Sequence, residues 1–179
     1  MADDSVKSGR ILAGRYRLEQ RLGVGGMGAI WRAEHLILSA PVAVKLLDRD
    51  VADSEENVAR FMREAKAAAN LRSTHVVQIL DYGVDESLPF IVMELLEGET
   101  LRDRLKRQKT LEPVEMARIV TDVCRAMARA HEAGVVHRDL KPENIFLVQE
   151  ADTEVTKVLD FGVAKVEAAT LGPEGNKTR

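Results

Sequence analysis

A chain of 179 residues holds one sizeable core, or two small lobes sharing one, and is too short for several independent domains. Its 26 Lys and Arg against 29 Asp and Glu leave a net charge of -3, which excludes recruitment of nucleic acid or an anionic membrane surface by a global field. The polar start over residues 1–10 excludes a signal peptide, no apolar run approaches a membrane span, and a single cysteine excludes an intramolecular disulfide, so a cytoplasmic, reducing location is expected.

Residues 1–10 read as a loose tail. Tyr16, Leu18 and Leu22 fall at even spacing, which predicts a strand over 16–22, with further strands over 29–35 and 42–47. A Gly-rich link over 23–28 joins the first two. Asp53 followed by Glu56 reads as a capping box, and Val58, Phe61, Ala65 and Ala68 then repeat at helical spacing, predicting one helix over 54–71. Strands are expected over 76–80 and 90–93, with a turn over 81–89 between them. Beyond Gly98 the pattern turns helical. Leu101 and Leu105 mark a short basic helix, and Val114, Ala117, Val120, Cys124, Met127 and His131 mark a long one that Gly134 ends. Within that stripe Cys124 is expected as a buried core thiol. Two short strands, over 145–148 and 156–159, flank a polar hairpin, and the last dozen residues are loop-like.

Four strings carry chemistry. Gly23-Val24-Gly25-Gly26-Met27-Gly28 is a G-x-G-x-x-G whose glycines let backbone N–H groups approach phosphate oxygens; alone it fits a flexible hairpin turn as well. A strand follows it where a dinucleotide fold needs a helix, so the phosphate lid is a hairpin. Val42-Ala43-Val44-Lys45 embeds a lysine in an apolar strand, and a buried ammonium needs an anion, which Glu64 on the following helix or a nucleotide phosphate can supply. A strand-end lysine reaching solvent and a solvated Glu64 among Arg60, Arg63 and Lys66 are the plainer readings of each residue by itself.

The third string is His137-Arg138-Asp139-Leu140-Lys141-Pro142-Glu143-Asn144, which places an acid, a cation and a metal-capable amide in one turn-rich loop. An acceptor hydroxyl needs its proton taken, a moving phosphoryl group needs neutralising charge, and a divalent metal needs oxygen ligands; Asp139, Lys141 and Asn144 match these in order. The fourth, Asp160-Phe161-Gly162, adds an oxygen ligand and a glycine hinge one hairpin later.

The ordered set Gly23, Gly25, Gly28, Lys45, Glu64, the 137–144 string and Asp160-Phe161-Gly162 resembles the eukaryotic-like protein kinases. The wording around Leu22 and over Phe61-Met62-Arg63-Glu64-Ala65 is most similar to the bacterial serine/threonine branch. The resemblance implies an α+β, bilobal protein-kinase-like fold: a small antiparallel-sheet N-lobe with one helix over 11–98, and a partial helical C-lobe over 99–179. It implies that Lys45 holds the α- and β-phosphates of ATP and pairs with Glu64, that Asp139 is the catalytic base, and that Lys141 steadies the γ-phosphoryl group. Asn144 and Asp160 are the implied Mg²⁺ ligands. Leu22, Ile30, Ala43 and Phe146 would enclose adenine, Met93 would stand as gatekeeper, and the backbone of the 94–96 hinge, Glu94 and Leu96 included, would contact the base. Lys141 two places after Asp139 implies Ser/Thr acceptors on protein substrates, with self-association or autophosphorylation as further partner readings. Arg138 is of the type that receives a phosphorylated activation loop. Thr170 and Thr178 are the only hydroxyl residues after Asp160.

No Ala-Pro-Glu-like motif follows Asp160, so the resemblance implies a chain cut within its activation segment and a long helix with an exposed apolar patch. Two rival readings stand beside the kinase one: a nucleotide-binding fragment without autonomous catalysis, and a small-molecule phosphotransferase on a related fold.

Overall fold

The computed structural model describes residues 6–25, 28–150 and 152–161, the side chains of Glu64 and Glu150 excepted. Its N-terminal lobe is a curled antiparallel sheet of β1 (Ile11–Leu12), β2 (Tyr16–Gly25), β3 (Gly28–His35), β4 (Ala40–Leu47), β5 (Ile79–Asp85) and β6 (Leu88–Glu94), in the order β1-β2-β3-β4-β6-β5. The period of two sorts its side chains. Trp31 and Ala33, Val42, Val44 and Leu46, and Phe90 and Val92 join Leu12, Tyr16 and Leu18 in one core. The alternate residues Leu47 and Ile91 pack on the opposite face against Phe61 and Ala65 of α2 (Glu55–Ala69). Phe61 is fully buried there, and such burial contributes about 1.5–3 kcal/mol.

Several boundaries differ from the expected ones. A short helix, α1 (Arg49–Ala52), precedes α2, whose cap is Ser54 rather than Asp53: the Ser54 Oγ accepts the Asn57 N–H at 3.4 Å. The strand expected over 76–80 begins only at Ile79, because the Val77 N–H donates to the Val158 carbonyl of the second lobe and Val76 packs into that lobe's core. The 81–89 stretch is no turn; β5 runs to Asp85 and the chain reverses at Glu86 and Ser87, both at positive φ (46° and 69°). Residues 6–10 are not loose. The Gly9 N–H donates to the Leu18 carbonyl at 2.8 Å, the Leu18 N–H donates to the Arg10 carbonyl at 2.8 Å, and Arg10 reaches Asp85 of β5 at 3.1 Å. Nearby the Tyr16 hydroxyl donates to Asp81 Oδ2 at 2.7 Å, and burial, with that carboxylate, pushes the phenol up to about 12.

The second lobe comprises β7 (Gly98–Thr100), α3 (Leu101–Gln108), α4 (Pro113–Glu132), β8 (Ile145–Glu150) and β9 (Thr153–Val158), the strands forming a β7-β8-β9 sheet. The three-residue β7 was not expected; it is too short to show a period. Its Gly98 is required by close approach, since a Cβ there would fall 2.0 Å from the Leu147 carbonyl oxygen. α4 packs Ile119, Val123, Ala126 and Ala130 against Leu101, Leu147, Val158 and Phe161. This corrects the sequence reading, in which Cys124 belonged to the buried stripe: the thiol is exposed, as is Val120. Both faces of α4 carry apolar residues, so periodicity alone left the phase of the inner face open. Among the described residues no helix is long and apolar enough to cross a membrane.

Candidate active site

The glycine string forms the hairpin between β2 and β3, with Gly23 paired to Ile30, Val24 to Ala29 and Gly25 to Gly28. Gly26 and Met27 lie outside the described residues. The glycines have different reasons to be glycine. A Cβ on Gly28 would fall 1.8 Å from the Leu46 carbonyl oxygen, so this position is needed for β3 to lie against β4; a Cβ on Gly23 would meet nothing within 4 Å. Leu22 and Val24 stand exposed on the same hairpin.

Register then assembles one face of the sheet. Ile30 pairs with Lys45, Ala43 with Met93, and Lys45 with Ile91, so these side chains share the surface opposite the Trp31 core. Lys45 is 14% exposed, and its Nζ lies 2.7 Å from Asp160 Oδ1. The anion that the buried lysine meets is thus Asp160; the expected partner Glu64 rides on α2, with its side chain outside the described residues. A small cavity lined by Lys45, Ala65, Ala68, Met93, Asp160 and Phe161 lies between α2 and this face. Ile30, Ala43, Leu96 and Phe146 do not line it, so it lies beside the expected adenine site rather than within it.

The 137–144 loop is held from below by its histidine. His137 is buried; its Nε2–H donates to the Leu159 carbonyl at 2.9 Å, its Nδ1 accepts the Asp139 N–H at 3.3 Å, and its ring lies 4.8 Å from that of Phe161. Arg138 adopts φ 62°, an uncommon conformation for a side chain of its size, which turns the chain so that Asp139 points outward, 57% exposed. Lys141 Nζ approaches Asp139 Oδ2 at 2.7 Å. That hydrogen bond, with the lysine charge and the Asn144 amide, holds the Asp139 carboxyl below the usual aspartate range, and the same contact raises Lys141. A 3-10 turn over Pro142–Asn144 closes the loop. The Asn144 Nδ2 donates to the Asp139 carbonyl at 2.9 Å and to its Oδ2 at 3.2 Å.

Asn144 and Asp160 are tied together through the backbone: the Leu159 N–H donates to the Asn144 carbonyl at 2.8 Å. With its Nδ2 engaged as donor, Asn144 keeps its amide oxygen as acceptor, and Asp160 supplies a carboxylate. Both are hard oxygen donors, the kind that Mg²⁺ takes, so the residues present fit such an ion. Phe161 is buried in the second-lobe core. Gly162, Thr170 and Thr178 lie outside the described residues.

At the end of β6, Glu94 is held on two sides. Its N–H donates to the Gln78 carbonyl at 3.0 Å, its Oε1 accepts the Gln78 N–H at 2.8 Å, and Lys157 of β9 approaches its two carboxylate oxygens at 2.8 and 3.0 Å. Phe146 pairs with Lys157 in the β8–β9 ladder. Sequence reasoning passed over Lys157 and named His137 in its string without giving it a role. The signal for Lys157 was a weaker form of the one used for Lys45, a lysine within a strand, here between Thr156 and Val158.

A family model described as the protein kinase domain matches residues 16–172. The chain belongs to this family. It is 42% identical over 164 residues to serine/threonine-protein kinase pkn3 of Myxococcus xanthus, covering 90% of this chain and 30% of that one. It is 38% identical over 162 residues to serine/threonine-protein kinase PrkC of Bacillus subtilis, covering 90% and 24%. Among solved structures, the PknI kinase domain of Mycobacterium tuberculosis superposes with a TM-score of 0.78 at 30% identity, covering 89% of this chain and 62% of that one. The chain thus spans 30% and 24% of the length of these two relatives.

Proposed function

We propose that this kinase domain binds Mg-ATP between its lobes and serves a serine/threonine protein kinase, residues 11–98 acting as the N-lobe and 99–179 as part of the C-lobe. One observation carries the reading: Asp139, Lys141 and Asn144 converge in one loop, a single backbone hydrogen bond from Asp160, which itself meets Lys45. No simpler structural role explains two ion pairs and a bonded amide gathered at the mouth of a loop, where half-exposed charge contributes little to stability.

The residues divide the reaction among themselves. A nucleotide whose base edge meets the backbone of Glu94 and Leu96, between Leu22, Ile30 and Ala43 above and Phe146 below, places its phosphates under the glycine hairpin. Met93 bounds the site at the back. Lys45 then shares its ammonium between Asp160 and the α- and β-phosphates, with Glu64 as a further partner. Asn144 and Asp160 would hold Mg²⁺, which would supply charge neutralisation to the phosphates. Asp139, kept ionised by Lys141, accepts the proton of a Ser or Thr hydroxyl as that oxygen bonds to the γ-phosphorus. The bond from the γ-phosphorus to the β-γ bridging oxygen breaks, and ADP departs with its electron pair. Lys141 faces the same carboxylate, so it is placed to neutralise the transferring group. Protein hydroxyls, including those of a second copy, are the acceptors, and dependence on ATP assigns the domain to the cytoplasm.

The test uses the full-length protein that carries this chain, with radiolabelled ATP, Mg²⁺ and a generic basic protein acceptor. Label on phosphoserine or phosphothreonine is the expected result. Label confined to small molecules would replace this reading with the phosphotransferase one.

A further inference from the structure

Lys157 is a cation that the proposed chemistry leaves unused. It is 8% exposed, and the bonds around it form a seam. On one side its ammonium holds both carboxylate oxygens of Glu94. Along its own strand, the Val158 N–H donates to the His75 carbonyl at 2.8 Å, the Val77 N–H donates to the Val158 carbonyl at 3.1 Å, and the His75 ring meets the Thr156 carbonyl at 3.0 Å. The 75–78 connector then returns to Glu94 through both Gln78 hydrogen bonds. Lys157 therefore stands where the end of β6, the connector and β9 meet.

Each neighbour of this seam leads to the nucleotide. Glu94 lies directly after Met93 on β6, Phe146 is in register with Lys157 across the ladder, and Asp160 follows two residues after Val158. A buried ion pair loses hydration on both members, and an apolar pair of similar size stabilises a fold at least as well. What the ion pair adds is a fixed geometry: two oxygens on one ammonium, with one of them also on an N–H, permit only one placement of Glu94 against β9.

We propose that Lys157 is a positioning residue for nucleotide binding, one that sets the distance between the Glu94 hinge and the strands carrying Phe146 and Asp160. The inference rests on the proposed function, which places the adenine edge on the backbone of that hinge.

The experiment compares wild type, Lys157→Gln, Glu94→Gln and Lys157→Arg in the full-length protein. The readouts are Mg-ADP affinity by calorimetry, KM for ATP and kcat separately, and thermal melting. Glu94→Gln keeps an acceptor for the Gln78 N–H and is the milder removal of charge. Both Gln variants are expected to weaken Mg-ADP binding and raise KM for ATP by about 2- to 30-fold, with kcat little changed. Lys157→Arg should recover most of the affinity. Unchanged or tighter Mg-ADP binding in folded Gln variants overturns the inference, and so does a lowered melting temperature without loss of affinity, which would leave the pair a structural bridge. A wild-type protein that binds no nucleotide removes the proposed function and this inference together, whereas normal wild-type binding with unaltered variants removes the inference alone.

Discussion

Lys45 and Asp160, 115 residues apart in sequence, meet at 2.7 Å across the two lobes. The lysine is largely buried and the aspartate 44% exposed, so the contact tethers a cation of the first lobe to an anion that solvent or a ligand can reach. An ammonium in that position is neutralised while no phosphate is present and is aimed at the place where phosphates are proposed to sit.

Lys45→Met should therefore separate chemistry from folding. Loss of one preorganised cation is expected to lower kcat for protein phosphorylation by roughly 10²- to 10³-fold. The partly exposed Asp160 can rehydrate, so the unfolding free energy should move by no more than about 1 kcal/mol. Radiolabel transfer and urea unfolding on the same preparations check both, and wild-type turnover in the variant would remove Lys45 from the site.

Asp139→Asn keeps shape but loses the proton acceptor, at an expected cost of roughly 10²- to 10⁴-fold in rate with nucleotide affinity little altered. Because Lys141 holds the Asp139 carboxyl below the usual range, the base stays ionised on acidification until the pH falls through that depressed value. Lys141→Ala should move the acid limb of the rate profile to higher pH, besides lowering kcat. Identical acid limbs for wild type and Lys141→Ala would show that the pair does not tune the base.

Most of the candidate site was legible because its chemistry is written in short local strings: 23–28, 42–45 and 137–144 each keep their meaning whatever the rest of the chain does. Lys157 and His137 show what was not. Their partners, Glu94 and the Leu159 carbonyl, lie 63 and 22 residues away, and no local pattern encodes such a pairing. The fold was readable to the same depth. β3 announced itself by its one buried face and β4 by its apolar run, whereas β7 is too short for a period and α4 is apolar on two sides, so Cys124 was assigned to the wrong one. The clasp of Arg10 and Asp85 was hidden for the same reason as Lys157: it joins the sheet's two ends.

Gly28 and Gly23 belong to one motif but should respond differently to alanine. At Gly28 the added Cβ would collide with backbone at 1.8 Å, which no side-chain rotation relieves, so Gly28→Ala should cost about 1–3 kcal/mol or more. At Gly23 the space is open, and Gly23→Ala should leave stability within about 0.5 kcal/mol. Denaturant unfolding of both variants tests this, and equal stabilities would mean that β3 and β4 can separate at little cost.

Arg104 anchors the second lobe away from the chemistry. Its guanidinium reaches Glu99 of β7 at 2.6 Å, Glu115 of α4 at 2.5 Å and Glu154 of β9 at 2.6 Å, while remaining 14% exposed. Arg104→Ala would take the shared cation from Glu115 and leave Glu99 and Glu154 to Arg107 and Arg118, at an expected cost of about 1–3 kcal/mol. Lys should rescue little, because one ammonium cannot replace a planar fork serving three elements. The loss should also depend on pH. Hydrogen bonds from Arg104 and then Arg107 hold the Glu99 carboxyl below the ordinary glutamate range, although burial opposes them. A carboxylate depressed by folding contributes stability that is fully present above its unfolded value, about 4.3, and that disappears as pH falls through the folded one. The gap between wild type and Arg104→Ala, read from urea midpoints, should thus be widest near neutrality and narrow below about pH 4. A gap that stays constant from pH 7 to pH 3 would show that Arg104 acts through packing of its aliphatic stem instead of through the three carboxylates.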